Sequence, residues 1–312
     1  MVKELNWKKF ILLYIKLEDY ITMKTISENL LSIVIPTKNR ANTIKFSIET
    51  IFQQNYTNFK IIISDNNSKD GTEEIIKKFN DKRIEYFYHK DDLTMKENWE
   101  FGLSKIEDGF VTIMGDDDGF CPNSFFMINE IINTKKCNLV NWATTSYFWP
   151  TNKVENNSSV NFRYYNKDIQ NIRSKDKIKK ILGMNEIYSE GPMIYNSFLN
   201  IDLVKKIKKK QNNIFFLNEI PDISSLFSIL LNSNSYYRLN FPIGIAGASK
   251  NSNGSNFKNN KNTFKEVKEN LSMFNIHENI VPSFYFATTF PYKDFMNIYP
   301  NFIKKYPINY YK

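Results

Sequence analysis

Three consecutive carboxylates, Asp116 to Asp118, stand between two glycines directly after an apolar stretch that runs from Phe110 to Met114. A continuous apolar run of this length is typical of an interior strand of a parallel sheet. Like charges at the end of such a strand repel one another and resist desolvation, so folding alone does not favour their clustering. A hard divalent cation such as Mg²⁺ or Mn²⁺, bound through carboxylate oxygens and bridging to a phosphate, would balance them. An acidic turn in solvent is the alternative, because Asp and Gly both favour turns.

Two further polar clusters follow apolar runs in the same way. The segment Thr37 to Arg40 follows the apolar run 31–35, and the segment Asp65 to Thr72 follows the run 60–64. In open parallel sheets, ligands bind beyond the carboxyl ends of the strands. The coincidence of three polar clusters at such ends favours a binding site over an acidic turn.

The elements that would position these clusters alternate regularly. The expected strands are 31–35, 60–64, 84–88, 110–114 and 138–143, and the expected helices are 42–54, 71–79, 95–106 and 122–134. Strands and helices that alternate with short connections indicate parallel pairing through right-handed crossovers. The sequence therefore predicts an α/β fold with a mostly parallel central sheet that is covered by helices on both faces.

The second half of the chain is less regular. Residues 151–171 are rich in Asn and predict a loop, and residues 249–261 predict a second, mobile loop. The helical patterns lie at 175–182, 200–209 and 222–231, and the short strand patterns lie at 236–239 and 243–246. This half is expected to be more helical than the first.

Composition narrows the class of protein. Among 312 residues, 42% hydrophobic and 15% aromatic residues exclude a largely disordered chain, and this length suits one large α/β domain or two small ones.

The net charge is +9, yet it is spread along the chain, and the basic run 205–210 has a helical pattern. A solvated helix face explains that run better than a nucleic-acid site does. The charge is also compatible with anionic lipid headgroups or phosphorylated substrates.

Localisation signals favour the cytoplasm. Cys121 and Cys137 have neither metal-ligand spacing nor the pattern of a disulfide framework, which fits a reducing compartment. No apolar stretch approaches the ~20 residues of a membrane span, and the amino terminus lacks the features of a signal peptide. Residues 1–28 have the pattern of a basic amphipathic helix. Such a helix packs on the main domain or lies on a membrane surface, and both remain open.

Three motifs together resemble the family 2 glycosyltransferases, which use nucleotide-sugar donors and have the GT-A fold. They are the strand end Ile33 to Arg40, the segment Asp65 to Thr72, and Gly115 to Asp118 with Pro122 following. Each motif alone is weakly specific, but all three occur in the family's order and at its spacing. The family's metal motif is Asp-X-Asp, and its first Asp falls on Gly115 here while its last falls on Asp117.

The resemblance implies a role for each residue of the donor site. The residues that it implies to line the nucleotide pocket are Pro36, Thr37, Asn39 and Arg40. It further implies that Asp65 accepts a hydrogen bond from the base and that Lys96 contacts nucleotide or phosphate. Asp116 would face the ribose or the metal's water shell, and Asp117 and Asp118 would form the metal corner. The implied metal is Mn²⁺ or Mg²⁺. For Asp65 a turn-capping role is the alternative, and for Lys96 an ordinary helix face is equally compatible.

A general base is expected in the second half of the chain. In the family this carboxylate lies just before a helix or at its start, and Asp222 fits that place, with Glu219 as the second candidate. Asp222 acting only as the N-cap of the helix is the structural alternative, since Asp is favoured at that position.

The function that the resemblance implies is inverting transfer of a sugar, with a UDP-linked donor favoured, to a hydroxyl of a glycan or lipid-linked acceptor in a bacterium. Residues 29–149 would be the nucleotide-sugar-binding half and 150–265 the acceptor-binding half, with a helical extension at 1–28 and a helical tail at 266–312.

The enzyme would be cytoplasmic, with contact at the inner face of the membrane compatible, and would not bind nucleic acid. A nucleotidyltransferase and a non-catalytic nucleotide- or glycan-binding module are the alternatives. The absence of glycine from the segment Thr37 to Arg40 counts against the first.

Overall fold

The computed structural model describes residues 27–150, 159–161, 168–183, 185–249, 295 and 298–301. The strands are β1 (Leu31–Thr37), β2 (Phe59–Asp65), β3 (Ile84–Tyr88), β4 (Phe110–Ile113), β5 (Gly119–Phe120), β6 (Leu139–Phe148), β7 (Ser159–Asn161), β8 (Ile169–Arg173), β9 (Ser197–Asn200) and β10 (Ser235–Ala248). The α-helices are α1 (Ile44–Phe52), α2 (Thr72–Lys77), α3 (Met95–Ser104), α4 (Ser124–Lys135), α5 (Ser174–Leu182), α6 (Ile201–Lys210) and α7 (Pro221–Asn232), with short 3₁₀ turns at Tyr188–Glu190 and Ile194–Asn196.

One central sheet joins the two halves of the chain. Its strand order is β3-β2-β1-β4-β9-β6-β10-β5, with β7 paired to β6 and β8 paired to β10. Strands β3, β2, β1 and β4 are parallel neighbours, as are β6 and β10. The predicted α/β fold with a mostly parallel sheet is confirmed, and the crossover helices between β1 and β4 are α1, α2 and α3.

Several strands differ from the sequence prediction. Strand β5 was not predicted, and β7 and part of β8 lie within residues 151–171, which the sequence predicts to be a loop. Strand β9 pairs antiparallel with both β4 and β6, and the sequence analysis predicts no strand there. Strand β10 is one long strand, whereas the sequence predicts two short ones. Its pairing with β6 continues past Pro242, but the register shifts on either side of that residue. Proline has no N–H to donate to a ladder, so its position in a strand is tolerated at such an irregularity.

Helices cover both faces of the sheet. Alternate side chains of β1 point to opposite faces, so Val34 packs in one apolar cluster while Ile33 and Ile35 pack in another. The first cluster receives side chains from α3, α5, α6 and α7, and the second receives them from α1, α2 and α4. A strand that is buried on both faces must be apolar along its length, which explains the continuous run that the sequence shows.

Several expectations concern segments outside the described residues. The predicted extension 1–28 is described only from residue 27, the loop 249–261 only at Ser249, and the tail 266–312 only at residues 295 and 298–301. Within the described part of the chain, no helix is long and apolar enough to cross a membrane. Cys121 and Cys137 are free thiols.

Candidate active site

The carboxyl ends of β1, β2 and β4 meet at one edge of the sheet. Thr37 and Asp65 are direct partners in the β1–β2 register, and Met114, at the end of β4, donates its N–H to Val34 of β1 at 2.9 Å. The polar segment that follows each strand therefore begins at the same edge. Asn39 lies in the left-handed region at φ 56° and donates its backbone N–H to Ser68 Oγ at 2.8 Å, which joins the first two segments.

A buried ion pair joins the first segment to the acidic turn. Arg40 Nε donates to Asp116 Oδ1 at 3.0 Å, and the two residues are only 9% and 8% exposed. Burial raises the pKa of Asp116 to about 6, and the negative charge of Asp117 adds to that rise, whereas Arg40 and Thr37 oppose it. The structure thus brings Arg40 and Asp116 together, and Arg40 anchors the turn.

Asp118 is held by backbone donors. Its Oδ2 accepts from the Gly115 N–H at 3.0 Å and its Oδ1 accepts from the Gly247 N–H at 2.7 Å. Burial raises the pKa of Asp118 to about 7, the charge of Asp117 raises it further, and the two backbone donors oppose the rise. A Cβ added at Gly115 would lie 2.7 Å from Asp118 Oδ2, so an aspartate at this first motif position would displace Asp118.

Asp117 is held by Trp149, which the sequence analysis did not assign to the site, and by Ser249, which it placed in a mobile loop. Ser249 Oγ donates to Asp117 Oδ2 at 2.6 Å, and Trp149 Nε1 donates to the Asp117 carbonyl at 2.9 Å. Gly247 runs so close to the turn that an added Cβ would lie 1.8 Å from the Asp117 carbonyl oxygen. The small side chains around residue 247 were the available signal, but the contacts follow from the register of β10, which the sequence did not reveal.

The donor set of this turn fits a hard divalent cation. Burial and the negative charge of Asp117 between them raise the pKa values of Asp116 and Asp118, and carboxylate oxygens are the ligands that Mg²⁺ and Mn²⁺ prefer. Across the described ranges, no three His, Cys, Asp or Glu side chains converge into a complete cage. Magnesium sites of nucleotide enzymes need only one or two carboxylates together with substrate phosphates, so the turn meets that requirement.

Asp65 has internal partners on both oxygens. Its Oδ1 accepts from the Ser68 N–H at 2.9 Å and its Oδ2 accepts from the Tyr86 hydroxyl at 2.8 Å, and the residue is fully buried. The turn-capping role is therefore present in the structure. A carboxylate has about four acceptor sites, so a further donor remains compatible, and the nucleobase contact stays a prediction.

Of the other residues predicted for the donor site, Pro36 and Asn39 lie at this edge of the sheet, and Lys96 lies in α3. Pro36 is half-buried next to Thr37, and Asn39 Oδ1 accepts from the Lys69 N–H at 2.8 Å. Lys96 is half-buried in the first turn of α3, and no contact described for this part of the chain brings it to the acidic turn. Its assignment to the nucleotide stays a prediction.

The two candidate bases differ in their surroundings. Helix α7 begins at Pro221 with Ile220 as its N-cap, so the alternative in which Asp222 is the N-cap is wrong. Asp222 lies inside the first turn, where its Oδ1 accepts from the Ile223 N–H at 2.9 Å, and burial raises its pKa. Glu219 is exposed just before the helix.

Tyr195 lies near both Asp222 and the acidic turn. Burial raises the pKa of the Tyr195 phenol well above its ordinary value, and the charges of Asp222 and Asp118 both add to the rise. Tyr195 and Asp118 also line one small cavity of about 20 Å³ together with Trp142. Both carboxylates are therefore near enough to Tyr195 to influence its ionisation, although they belong to different halves of the chain.

Comparison with known proteins adds a family and a fold. A family model described as Glycosyl transferase family 2 matches residues 32–193. A beta-1,3-glucosyltransferase from Campylobacter jejuni, named for GalNAc(5)-diNAcBac-PP-undecaprenol, is 34% identical over 91 residues, which are 28% of this chain and 29% of that protein. Glycosyltransferase GlyG from Streptococcus pneumoniae is 25% identical over 195 residues, 61% of this chain and 60% of its own length.

A second glucosyltransferase and one solved structure extend the comparison. The Escherichia coli enzyme WfgD, named UDP-Glc:alpha-D-GlcNAc-diphosphoundecaprenol beta-1,3-glucosyltransferase, is 24% identical over 135 residues, 43% of this chain and 50% of that enzyme. The crystal structure of S. aureus TarS 1-349 in complex with UDP-GlcNAc superposes with a TM-score of 0.57 at 13% identity, covering 88% of this chain and 74% of that one. At that identity the likeness concerns the fold alone. The chain matches less than two thirds of the length of each of these curated relatives.

Proposed function

Because the chain belongs to the family 2 glycosyltransferases, we propose that it transfers a sugar from a nucleotide-sugar donor to a hydroxyl group of a glycan or lipid-linked acceptor. The observation that carries this proposal is the buried Arg40–Asp116 ion pair, which fixes the acidic turn beside the end of β1. Ligands of open α/β sheets bind at this edge, which supports the proposal that the donor diphosphate binds beside these carboxylates.

The donor half of the site would bind the nucleotide along the loop that follows β1. Pro36, Thr37 and Asn39 would contact the nucleoside, Asp65 would accept from the base, and Asp116 would face the ribose. A UDP-linked donor is favoured because the E. coli relative is named for UDP-Glc. Lys96 remains a candidate for a phosphate contact at the first turn of α3.

Asp117 and Asp118 would hold the divalent cation. When bound, Mg²⁺ or Mn²⁺ would neutralise the charge that develops on the departing nucleoside diphosphate. The protein's own part is to keep these carboxylates in place, through the Ser249 hydroxyl on Asp117 and the Gly247 N–H on Asp118. Trp149, which binds the Asp117 carbonyl, closes one side of the turn.

Asp222 would act as the general base, with Glu219 as the alternative. The acceptor hydroxyl oxygen would attack the anomeric carbon as the bond from that carbon to the diphosphate breaks, which inverts the anomeric configuration. The hydroxyl proton would pass to Asp222. Burial raises the pKa of Asp222, and a carboxylate with a raised pKa is a stronger base at neutral pH.

The acceptor is proposed to be lipid-linked. Two of the relatives are named for acceptors that carry undecaprenol and diphosphate. A net charge of +9 favours approach to a diphosphate or to an anionic membrane surface. A cytoplasmic enzyme that works at the inner face of the membrane is consistent with both.

Nucleotide binding tests this proposal before any acceptor is known. We expect UDP together with Mn²⁺ to raise the melting temperature of the purified chain, and we expect either alone to raise it less, because a ligand that binds only the folded state stabilises it by mass action. GDP, CDP and ADP with Mn²⁺ are the matched controls. The absence of a shift with every nucleotide and metal combination would contradict the proposed donor site.

A further inference from the structure

The ends of β6 and β10 lie side by side next to the acidic turn. These two strands are parallel, and their last paired residues are Gly247 with Tyr147 and Ala248 with Phe148. Trp149 then donates its N–H to the Ala248 carbonyl at 3.1 Å, which extends the pairing by one residue. The residues that follow both strands therefore emerge at the same edge of the sheet as Asp117.

Three donors from these strand ends bind the acidic turn, and they bind different parts of it. Trp149 holds the backbone carbonyl of Asp117, and the Gly247 N–H holds the carboxylate of Asp118. Of the three, Ser249 alone binds the Asp117 carboxylate itself, at Oδ2 and 2.6 Å. This contact joins positions 132 residues apart in the sequence.

The surroundings of the Ser249 contact make it more than a surface hydrogen bond. Ser249 is 7% exposed and Asp117 is 9% exposed, so the contact lies out of bulk water. An O–H···O⁻ bond of this length is charge-assisted and about twice as strong as a neutral one. The terminal torsion of an aspartate is broad, so a fixed donor on one oxygen restricts how the carboxylate turns.

We propose that Ser249 is a positioning residue for the metal site: its hydroxyl sets the orientation in which the Asp117 carboxylate meets a divalent cation. The inference rests on the proposed function, which assigns Asp117 to the metal. Hydrogen-bond partners behind metal ligands orient those ligands, and their loss typically weakens metal binding by about 10- to 100-fold.

Manganese titration followed by electron paramagnetic resonance tests this directly, because the signal of free hexaaquo Mn²⁺ falls as the ion binds. The titration is made at pH 8 with saturating UDP on the wild type, Ser249→Ala, Ser249→Thr and Ser104→Ala, and a protein-free titration at the same UDP concentration accounts for the Mn²⁺ that UDP itself binds. Ser104 is an exposed serine at the end of α3 and serves as the matched control. Circular dichroism melting without metal shows whether each variant is folded.

We expect Ser249→Ala to raise the Kd for Mn²⁺ by ~10-fold or more, in line with other partners of metal ligands. Ser249→Thr, which keeps the hydroxyl, and Ser104→Ala should bind as the wild type does. If Ser249→Ala binds like the wild type, or if Ser249→Thr binds as weakly as Ser249→Ala, the positioning role is overturned while the proposed function stands. If the wild type itself binds no Mn²⁺ in the presence of UDP, the assignment of Asp117 to the metal fails and the inference fails with it.

Discussion

Arg40 and Asp116 form the residue-scale contact on which the site depends most. Both side chains are about nine-tenths buried, so removal of the Arg40 guanidinium would leave the Asp116 carboxylate poorly solvated and without its partner. Removal of one partner of a buried ion pair typically costs 3 to 5 kcal/mol, roughly, whereas an exposed pair contributes little.

Arg40→Ala is therefore expected to lower the free energy of unfolding by ~3 kcal/mol, as measured by urea denaturation at pH 8. Lys38→Ala is the matched control, because Lys38 pairs with Asp92 at the exposed surface. We expect no resolved change for the control. Equal effects of the two substitutions would show that the Arg40–Asp116 pair does not hold the turn.

Asp118 makes stability depend on pH in a defined direction. Its pKa in the folded chain is about 7, above the ordinary value of 3.8, so folding favours the protonated form. This contribution to stability is complete below the ordinary pKa and is lost progressively as the pH rises to about 7. The metal-free protein should thus lose stability from pH 6 to pH 8.

The measurement is urea unfolding in EDTA at pH 6 and pH 8 for the wild type and Asp118→Asn. Since one pKa unit corresponds to about 1.4 kcal/mol, the wild type should lose about 1 kcal/mol more than the variant over this interval. Asp116, whose pKa is about 6, titrates in both proteins, so the comparison reports the Asp118 carboxyl together with its coupling to Asp116. Parallel pH profiles would show that the Asp118 carboxyl does not carry the effect.

Asp222 and Glu219 can be separated by substitution. Asp222→Asn removes a proton acceptor and keeps the shape of the side chain, so transfer should fall by about 10²- to 10⁴-fold while binding of UDP with Mn²⁺ is retained. Glu219→Gln is the matched control and should keep most of the activity, because Glu219 is exposed. Loss of activity in the Glu219 variant alone would reverse the assignment of the base.

Residue patterns predicted only part of this site. The triple aspartate and Arg40 were identified because each follows an apolar run that had to be a strand end. Trp149 was not, and Ser249 was placed only in a predicted loop, because their contacts with Asp117 depend on where the ends of β6 and β10 lie in the sheet. Sequence spacing over more than a hundred residues carries no information about such an alignment.

At the scale of elements, the end of β10 is fitted closely to the acidic turn. Gly247 has no side chain, and its N–H reaches Asp118 only because the backbone passes against the Asp117 carbonyl. Gly247→Ala must push the strand end away from the turn, since an added Cβ would lie 1.8 Å from that oxygen.

We expect Gly247→Ala to destabilise the chain by about 1 to 3 kcal/mol, as overpacking typically does, and to weaken binding of UDP with Mn²⁺. Ala248→Ser, at the next position of the strand, is the matched control for a small added group. Urea denaturation and isothermal titration calorimetry give the two readouts. A Gly247→Ala protein with unchanged stability and binding would mean that the strand end does not support the turn.

Elements with a clear period were predicted, and elements without one were not. Alternation of apolar strands with amphipathic helices identified β1 to β4 and the helices between them. Strand β9 was missed because four residues directly before a helix carry no period of their own. Strand β10 was divided into two because Asn240 and Pro242 interrupt its apolar pattern, although the pairing with β6 continues past them.

At the scale of the whole molecule, one sheet brings the two halves of the site to a single edge. The ends of β1, β2 and β4 form the side to which the proposal assigns the donor, while the ends of β6 and β10 hold the acidic turn from the other side. The fold class was predictable because it follows from the order of elements. The choice of sugar and acceptor depends on side chains in the less regular half, where pattern is a weak guide.

The central claim is that the chain transfers a sugar from a nucleotide-sugar donor. It is tested most directly by identifying the products that form from UDP-glucose. The purified chain is incubated with Mn²⁺, UDP-glucose and an undecaprenyl-diphosphate-linked sugar, and the nucleotide products are separated by chromatography. We predict release of UDP that matches the appearance of glucosylated lipid and that stops when EDTA is added. Release of glucose 1-phosphate in place of UDP would indicate attack at the phosphate and a nucleotidyltransferase. Binding of UDP-glucose without turnover of any tested UDP-sugar would indicate a binding module. Either result would contradict the account.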